Sequence, residues 1–479
     1  MTQRYFHSTA PADRVPLLCS TSYGAGKLGF ALIIQGYMTF YNPIFNDVLG
    51  LSPIAIGWII ASSRILEAFA DLLMGRVTDH TSSRWGRRRP WIALGGLLCA
   101  ISFVFLWWFP RGQSEQFYFW WLLAFSLFMF LSFTVFSVPY IALGMELSPD
   151  YHERTSVMTI RTVIEQFGFF IVPSLFYLTS LGVFADRAEG MRYNSLWVGG
   201  VIFIVTLGPA LFAREHPSFL QTGQRALQRA RTRGAVTLLV SVKEAVKCWP
   251  LLSLGLITVI SYFGVISVTA LNYYMITYYL FDGSKGLDSG KLLSVTGYCI
   301  PIVAMVALPL MNCLSRRIGK RNSLAVAFSL TTIGAALRWP LYTPEAPYLS
   351  IIPTVLFGIG TAGAYLFINA MIPEAVDADE LKTGERREGL FGAVYSWTYK
   401  LGASLAILLA GYILVWTGFD AELMGHQSPQ TIFWLRFVFS WVAAGAMLLT
   451  VLLVLAYPIT EKRAYEIRQK IAEKRAAQG

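Results

Sequence analysis

About a dozen separate apolar stretches run through this chain, each close to the roughly 20 residues a helix needs to cross a hydrocarbon core. Inside lipid, every backbone N–H and C=O must be satisfied within the protein, and single segments of this length do that only as helices. The stretches lie near residues 23–45, 54–78, 91–109, 117–143, 157–178 and 196–212, then near 251–281, 290–314, 323–341, 351–372, 390–416 and 433–457. The chain is therefore read as an all-α polytopic membrane protein with twelve transmembrane helices. Composition agrees, because 55% hydrophobic against 14% charged residues is too apolar for a soluble globular protein.

The basic residues set the topology. Arg84, Arg87, Arg88 and Arg89 follow span two, and Arg225, Arg229, Arg231, Arg233, Lys243 and Lys247 fill the stretch after span six. Arg316, Arg317, Lys320, Arg321, Lys382, Arg386 and Arg387 fall on the same side, whereas the opposite loops offer few, such as Arg111 and Arg187. This bias predicts that both termini and the central connector are cytoplasmic. It also accounts for the net charge of +11, so nucleic acid is not an expected partner. The expected organisation is an N-terminal six-helix bundle over 1–213, a connector over 214–248, a C-terminal six-helix bundle over 249–458 and a charged helical tail over 459–479. The N-terminal residues lack the ordered features of a removable signal peptide, so the first span is expected to act as its own insertion signal. Cys19, Cys99, Cys248, Cys299 and Cys313 have no paired spacing and no histidine partners, which suits small buried hydrophobes rather than a metal or disulfide framework.

Two loops recur. Ser83-Arg84-Trp85-Gly86-Arg87-Arg88 after span two is echoed by Arg316-Arg317-Ile318-Gly319-Lys320-Arg321 after span eight. Glu146 with Asp150, Glu153 and Arg154 after span four is echoed by Glu374 with Asp377, Glu385 and Arg386 after span ten. A shared offset of about 230 residues implies duplicated halves, two pseudo-symmetric bundles as in the major facilitator fold.

Within this apolar scaffold the ionisable residues stand out. Arg64, Glu67 and Asp71 occupy i, i+3 and i+7 of span two, one stripe of a helix. A charge at bilayer depth costs at least about 2.5–3.5 kcal/mol, so the stripe is expected to face a polar or protein-lined cavity and to be functional. Sugar hydroxyls need paired donors and acceptors together with aromatic faces. Tyr23 with Lys27, Arg161 with Glu165, Thr361 with Tyr365 and Asn369, and Trp397 with Lys400 and Ser404 all sit at helical spacing on otherwise apolar spans. The competing assignment for such isolated polar residues is interhelical hydrogen bonding, and for Glu67 and Asp71 a packing ion pair with Arg64, Lys27 or Lys400. Trp107, Trp108, Trp120 and Trp121 at span ends belong to the interfacial belt. No HExxH, Gly-x-Ser-x-Gly or phosphate-cradling glycine loop is present, which argues against an enzyme.

The two stretches with the most specific patterning resemble a known family. Asp71-x-x-x-Gly75 followed by Asp79-His80-Thr81-Ser82-Ser83-Arg84-Trp85-Gly86-Arg87-Arg88-Arg89-Pro90-Trp91 is similar to the first signature of the glycoside–pentoside–hexuronide:cation symporters, a major facilitator branch. Asp377-Ala378-Asp379-Glu380-Leu381-Lys382-Thr383-Gly384-Glu385-Arg386-Arg387-Glu388-Gly389-Leu390-Phe391, leading to Lys400, is similar to the second. The resemblance implies cation-driven, alternating-access import of a sugar or glycoside. It implies a cation site from Glu67, Asp71, Lys400 and Ser137, with Arg161 bordering the sugar. Two positions depart: Ala31 and Ser137 stand where the melibiose/sodium symporter has aspartates. Lys27 and Gln35 share a face of span one with Ala31 and are expected to serve instead.

The substrate-binding candidates are thus Tyr23, Lys27, Gln35, Arg64, Asp71, Arg161, Tyr365, Asn369, Trp397 and Lys400, placed near the midplane on spans one, two, five, ten and eleven, with span four also lining the site. The gating candidates are Gly75, Asp79, Arg84, Gly86, Arg87, Arg88, Glu374, Asp377 and Arg386. Gly75 is expected to allow a close helix approach, and the loop arginines to latch onto helix ends or the acidic set Glu374, Asp377, Asp379 and Glu380. No cofactor is expected beyond a coupling H+ or Na+, with protons favoured because the two aspartate departures remove anionic oxygens. The expected setting is a bacterial inner membrane, and the expected state a monomer. A cation-coupled lysolipid carrier of the same branch and a non-transporting receptor or scaffold are the alternatives.

Overall fold

A computed structural model describes residues 14–81, 83–148, 151–215, 248–383, 388–420, 423 and 426–478. Twelve of its helices are long and apolar enough to cross a membrane. In order they are α1 (Leu17–Tyr41, continued by a π-helical turn Asn42–Asn46), α2 (Pro53–His80), α3 (Arg89–Trp107), α4 (Glu115–Met145), α5 (Tyr151–Thr179) and α6 (Arg187–Phe212). Then follow α7 (Trp249–Tyr274, continued by Met275–Leu280), α8 (Leu287–Ile318), α9 (Lys320–Leu341), α10 (Ile351–Thr383), α11 (Glu388–Trp416) and α12 (Pro429–Leu455, with a π-helical stretch Val438–Val442). A thirteenth helix, α13 (Glu461–Gln478), is the charged tail segment; it packs on α10, and its Ala464, Ile467 and Ile471 are buried. The spans expected from apolar length are all present.

Local chemistry starts and stops these helices. Ser114 accepts the Phe117 N–H at the head of α4, and Ser428 accepts that of Thr431 at the head of α12. Asp186 accepts the Glu189 N–H while the Glu189 carboxylate accepts that of Ala185, a reciprocal cap on α6.

The chain divides into two compact units, Met1–Leu49 with Leu66–Gly234, and Gly50–Ile65 with Ala235–Gly479. The opening turns of α2 therefore belong with the second unit: a methyl group at Gly57 would meet the Leu408 backbone at 3.2 Å, and one at Gly411 the Pro53 carbonyl oxygen at 2.4 Å. Inside the first unit α1 packs on α5 and α6, and α3 on α4 and α6. Inside the second, α7 packs on α11 and α12, and α9 on α10 and α12. The duplication written in the loops is thus repeated in the packing order of each bundle.

Small residues permit these pairings. A Cβ at Gly95 of α3 would lie 2.4 Å from the Phe136 backbone nitrogen of α4, and one at Gly334 of α9 would lie 2.6 Å from that of Phe357 of α10. Helix backbones approach this closely only where no side chain intervenes. Gly75 does not play that part. A methyl group there meets nothing within 4 Å among the described residues, so the close approach expected at Gly75 is made at other glycines.

Candidate functional site

The polar candidates of the first unit lie on α1, α2, α4 and α5. Lys27 Nζ lies 3.3 Å from Glu165 Oε1, with the two side chains only 12% and 19% exposed. The same ammonium stands 3.5 Å over the Phe30 ring, which itself meets Phe133 of α4 edge-on. One turn before Lys27, Tyr23 is fully buried, stacks on Tyr140 at 4.6 Å and has Arg161 beside its hydroxyl. Tyr140 donates to the Tyr23 carbonyl at 2.8 Å, tying α4 to α1. Gly144 leaves the space that the Tyr23 ring fills, since a methyl group there would lie 1.9 Å from the phenol oxygen. Arg161 donates to Met158 Sδ along its own helix, and α5 reaches α1 closely at Gly24, where a Cβ would lie 3.3 Å from the Arg161 Cα.

On α2, Glu67 is buried and Asp71 half-buried, and the Asp71 carboxylate accepts the Thr134 hydroxyl of α4 at 2.9 Å. Arg64 is buried on the same helix, Ser137 is buried on α4 and Gln35 is half-buried on α1. Ala31 has a packing reason to be small. A methyl group added at Gly168 would lie 2.7 Å from the Ala31 Cβ, so α1 and α5 pass closely there.

In the second unit, Trp397 and Lys400 are half-buried on α11, and Ser404 is buried with its hydroxyl bonded to the Lys400 carbonyl at 2.7 Å. Tyr365 is exposed on α10, and Asn369 turns its amide back to the Tyr365 carbonyl at 2.7 Å. Around them lie tyrosines that sequence reasoning passed over. Tyr262 of α7 meets Tyr399 of α11 edge-on at 4.6 Å, and Thr258 donates to the Tyr395 hydroxyl at 3.4 Å. The i, i+4 spacing of Tyr395 and Tyr399 was the available signal.

Each bundle also closes its own loops at the basic end. Arg87 and Arg88 converge on Glu146 at the end of α4, at 2.8 Å and 2.6 Å. The Glu215 carboxylate accepts the backbone N–H groups of Arg87 and Arg88 at the start of α3, where a helix N-terminus favours an anion. Gly86 turns the chain there with φ +101°, a conformation that other residues resist. Arg89 bonds the Ala210 and Leu211 carbonyls at the end of α6, while Arg84 is exposed. In the second bundle Lys320 pairs with Glu374 at 2.7 Å, and Asp377, Asp379 and Glu380 are buried. Arg87 and Arg88 thus both meet Glu146 through their side chains and Glu215 through their backbone N–H groups, within their own unit. The Asp79 side chain and Arg386 lie outside the described residues.

Two duplicated six-helix bundles carrying ionisable residues at bilayer depth define a transporter of the major facilitator class. The chain belongs to the family of MFS/sugar transport proteins, whose model it matches over residues 22–461. It is 23% identical to the isoprimeverose transporter of Lactiplantibacillus pentosus over 95% of this chain and 91% of that protein. It is 24% identical to the glucuronide carrier protein homolog of Escherichia coli (strain K12), covering 95% and 94%. Among solved structures it resembles a D-xylose-proton symporter at a TM-score of 0.65 with 14% identity, covering 94% and 98%, a likeness of fold.

Proposed function

We propose that the protein is a cation-coupled symporter that imports a sugar or glycoside across a bacterial inner membrane by alternating access, with both termini cytoplasmic. The observation that carries this reading is the buried and half-buried polar set of the first unit: Glu67, Asp71 bonded to Thr134, and Lys27 paired with Glu165 beside Arg161. Ionisable groups at that depth are costly to place and serve transport by default. Tyr23, Lys27, Gln35 and Arg161, with Trp397, Lys400, Tyr365 and Asn369, are assigned to the substrate. Relatives named for isoprimeverose and glucuronide support a glycoside as the substrate class.

Glu67 and Asp71, one helical turn apart and about 6 Å along the axis, are assigned to the coupling ion. Sodium wants several oxygen ligands, and Ala31 supplies none where the melibiose/sodium symporter has a carboxylate. A proton needs one group, so protons are the proposed coupling ion.

The test is melting of the purified protein against monosaccharides, disaccharides, glycosides, uronates and lysolipids, with and without sodium. A sugar or glycoside should raise the midpoint in proportion to its affinity. Stabilisation by lysolipids alone would favour an amphiphile carrier, and strict sodium dependence of sugar binding would remove the proton assignment.

A further inference from the structure

In the first unit α3 and α6 lie side by side and antiparallel. Arg89 at the start of α3 bonds the carbonyls at the end of α6, and Trp108 just past α3 donates to the Arg192 carbonyl near the start of α6. The two helices touch closely, since a Cβ at Gly199 would lie 2.5 Å from Val104 Cγ2. Leu94, Ile101 and Phe105 form one exposed stripe of α3, and Trp197, Ile204 and Leu211 form one exposed stripe of α6. By the helical period each stripe stands roughly a quarter to a third of a turn from the contact line, on the same side of the pair. Together they flank a shallow apolar groove that follows both spans.

Cations collect where α3 starts and α6 stops. Arg89 is half-buried, with Nε and Nη2 on the Ala210 and Leu211 carbonyls. Arg214, two residues past α6, is exposed and near enough to Arg89 for the two guanidiniums to repel. Arg84 and Trp85 are exposed on the turn that ends at Gly86, where a Cβ would lie 3.6 Å from the Arg89 Cδ. The nearby carboxylate is that of Glu215, which is buried and accepts the Arg87 and Arg88 backbone N–H groups. Neither Arg84 nor Arg214 makes an ion pair among the described residues. Three cations therefore share one carboxylate that is already engaged.

Water can hydrate an exposed arginine, so charge alone does not select a partner. Position does. The cations stand at the mouth of a groove whose walls face hydrocarbon, and an occupant must be apolar along its length and anionic at its head. Guanidinium groups match the two free oxygens of a phosphodiester, and an indole at this depth suits the boundary between chains and headgroups.

We propose that the α3/α6 groove seats one anionic phospholipid, with phosphatidylglycerol the simplest example. Its phosphodiester sits at Arg89 and Arg214, and its acyl chains lie along the two stripes. A zwitterionic phospholipid brings its own cationic group to the same place, where the three arginines oppose it. The bound lipid bridges the start of α3 and the end of α6. None of these residues is assigned to the sugar or the coupling ion, so the site stands apart from those assignments.

The experiment titrates dioleoylphosphatidylglycerol or dioleoylphosphatidylcholine into the full chain in a neutral detergent. Native mass spectrometry should show one phosphatidylglycerol retained per chain where phosphatidylcholine is lost. The melting midpoint should rise in step with that occupancy, and less at high salt. Arg214→Gln should weaken phosphatidylglycerol retention about fivefold, the worth of one basic residue beside an anionic head. Arg317→Gln removes another exposed charge, from the last turn of α8, and should leave retention unchanged. Equal retention of the two lipids by the parent, unchanged retention in Arg214→Gln, or equal loss in both variants overturns the proposal. If Arg214→Gln does not fold, hydrogen exchange of the parent decides. Slower exchange over residues 84–89 and 210–215 with phosphatidylglycerol alone supports the site, and equal slowing by both lipids, or none, overturns it.

Discussion

At the scale of single residues, the coupling assignment makes the sharpest demand. If Glu67 and Asp71 carry the proton, Glu67→Gln or Asp71→Asn should abolish uphill accumulation while leaving substrate exchange down its gradient, because return of the empty carrier is the step that needs charge neutralisation. Transport in proteoliposomes, measured as accumulation and as counterflow, separates the two, and equal loss of both would contradict it. The substrate assignment has its own check. Arg161→Ala and Trp397→Ala should each weaken glycoside binding by about 1–3 kcal/mol, the usual worth of one well-made polar or stacking contact, without changing the melting midpoint of the empty protein much. Tyr412, whose hydroxyl accepts the Trp58 indole N–H at 3.2 Å, is the comparison residue. Loss of binding in Tyr412→Ala alone would move the site elsewhere.

At the scale of elements, the two loop clasps look alike in sequence but differ in strength. Glu146 is 14% exposed and holds two arginine side chains that are 13% and 9% exposed, so removing its charge takes a carboxylate from two cations in a largely dry setting. Glu146→Gln should cost about 2–4 kcal/mol of stability in the first unit, toward the range for broken buried pairs. Glu374 meets Lys320, whose side chain is 39% exposed and well hydrated. Glu374→Gln should cost about 1 kcal/mol or less, as for surface pairs. Denaturant or thermal melting of the two variants side by side checks the ranking, and equal costs would mean that the arginine cluster is hydrated after all. The helix pairings depend on size in the same way: Gly95 and Gly334 admit a neighbouring backbone, and a side chain at either would force α3 from α4 or α9 from α10.

At the scale of the whole molecule, the proposed orientation places the basic loops, both termini and the connector on the cytoplasmic side. An otherwise cysteine-free chain carrying Gln228→Cys should resist an impermeant thiol reagent added to intact cells and react once the membrane is opened. Labelling from outside would reverse the orientation. Retention of transport in Glu67→Gln and Asp71→Asn together would point instead to a different coupling element, with Lys27 and Glu165 the next buried pair to examine.

The twelve helices, the basic loops and the twofold repeat were legible in the amino-acid order, because apolar length, charge bias and recurrence at a fixed offset are properties of contiguous residues. So was the placement of Glu67 and Asp71 on one stripe of α2, since the helical period alone sets it. Which helix each stripe meets was not. That Thr134 answers Asp71, that Glu165 answers Lys27 and that Glu146 and Glu215 take the loop arginines depends on pairings between segments far apart in the chain. Gly75 shows the same limit: a small residue permits a close approach, but only the packing of neighbouring helices decides whether one is made there.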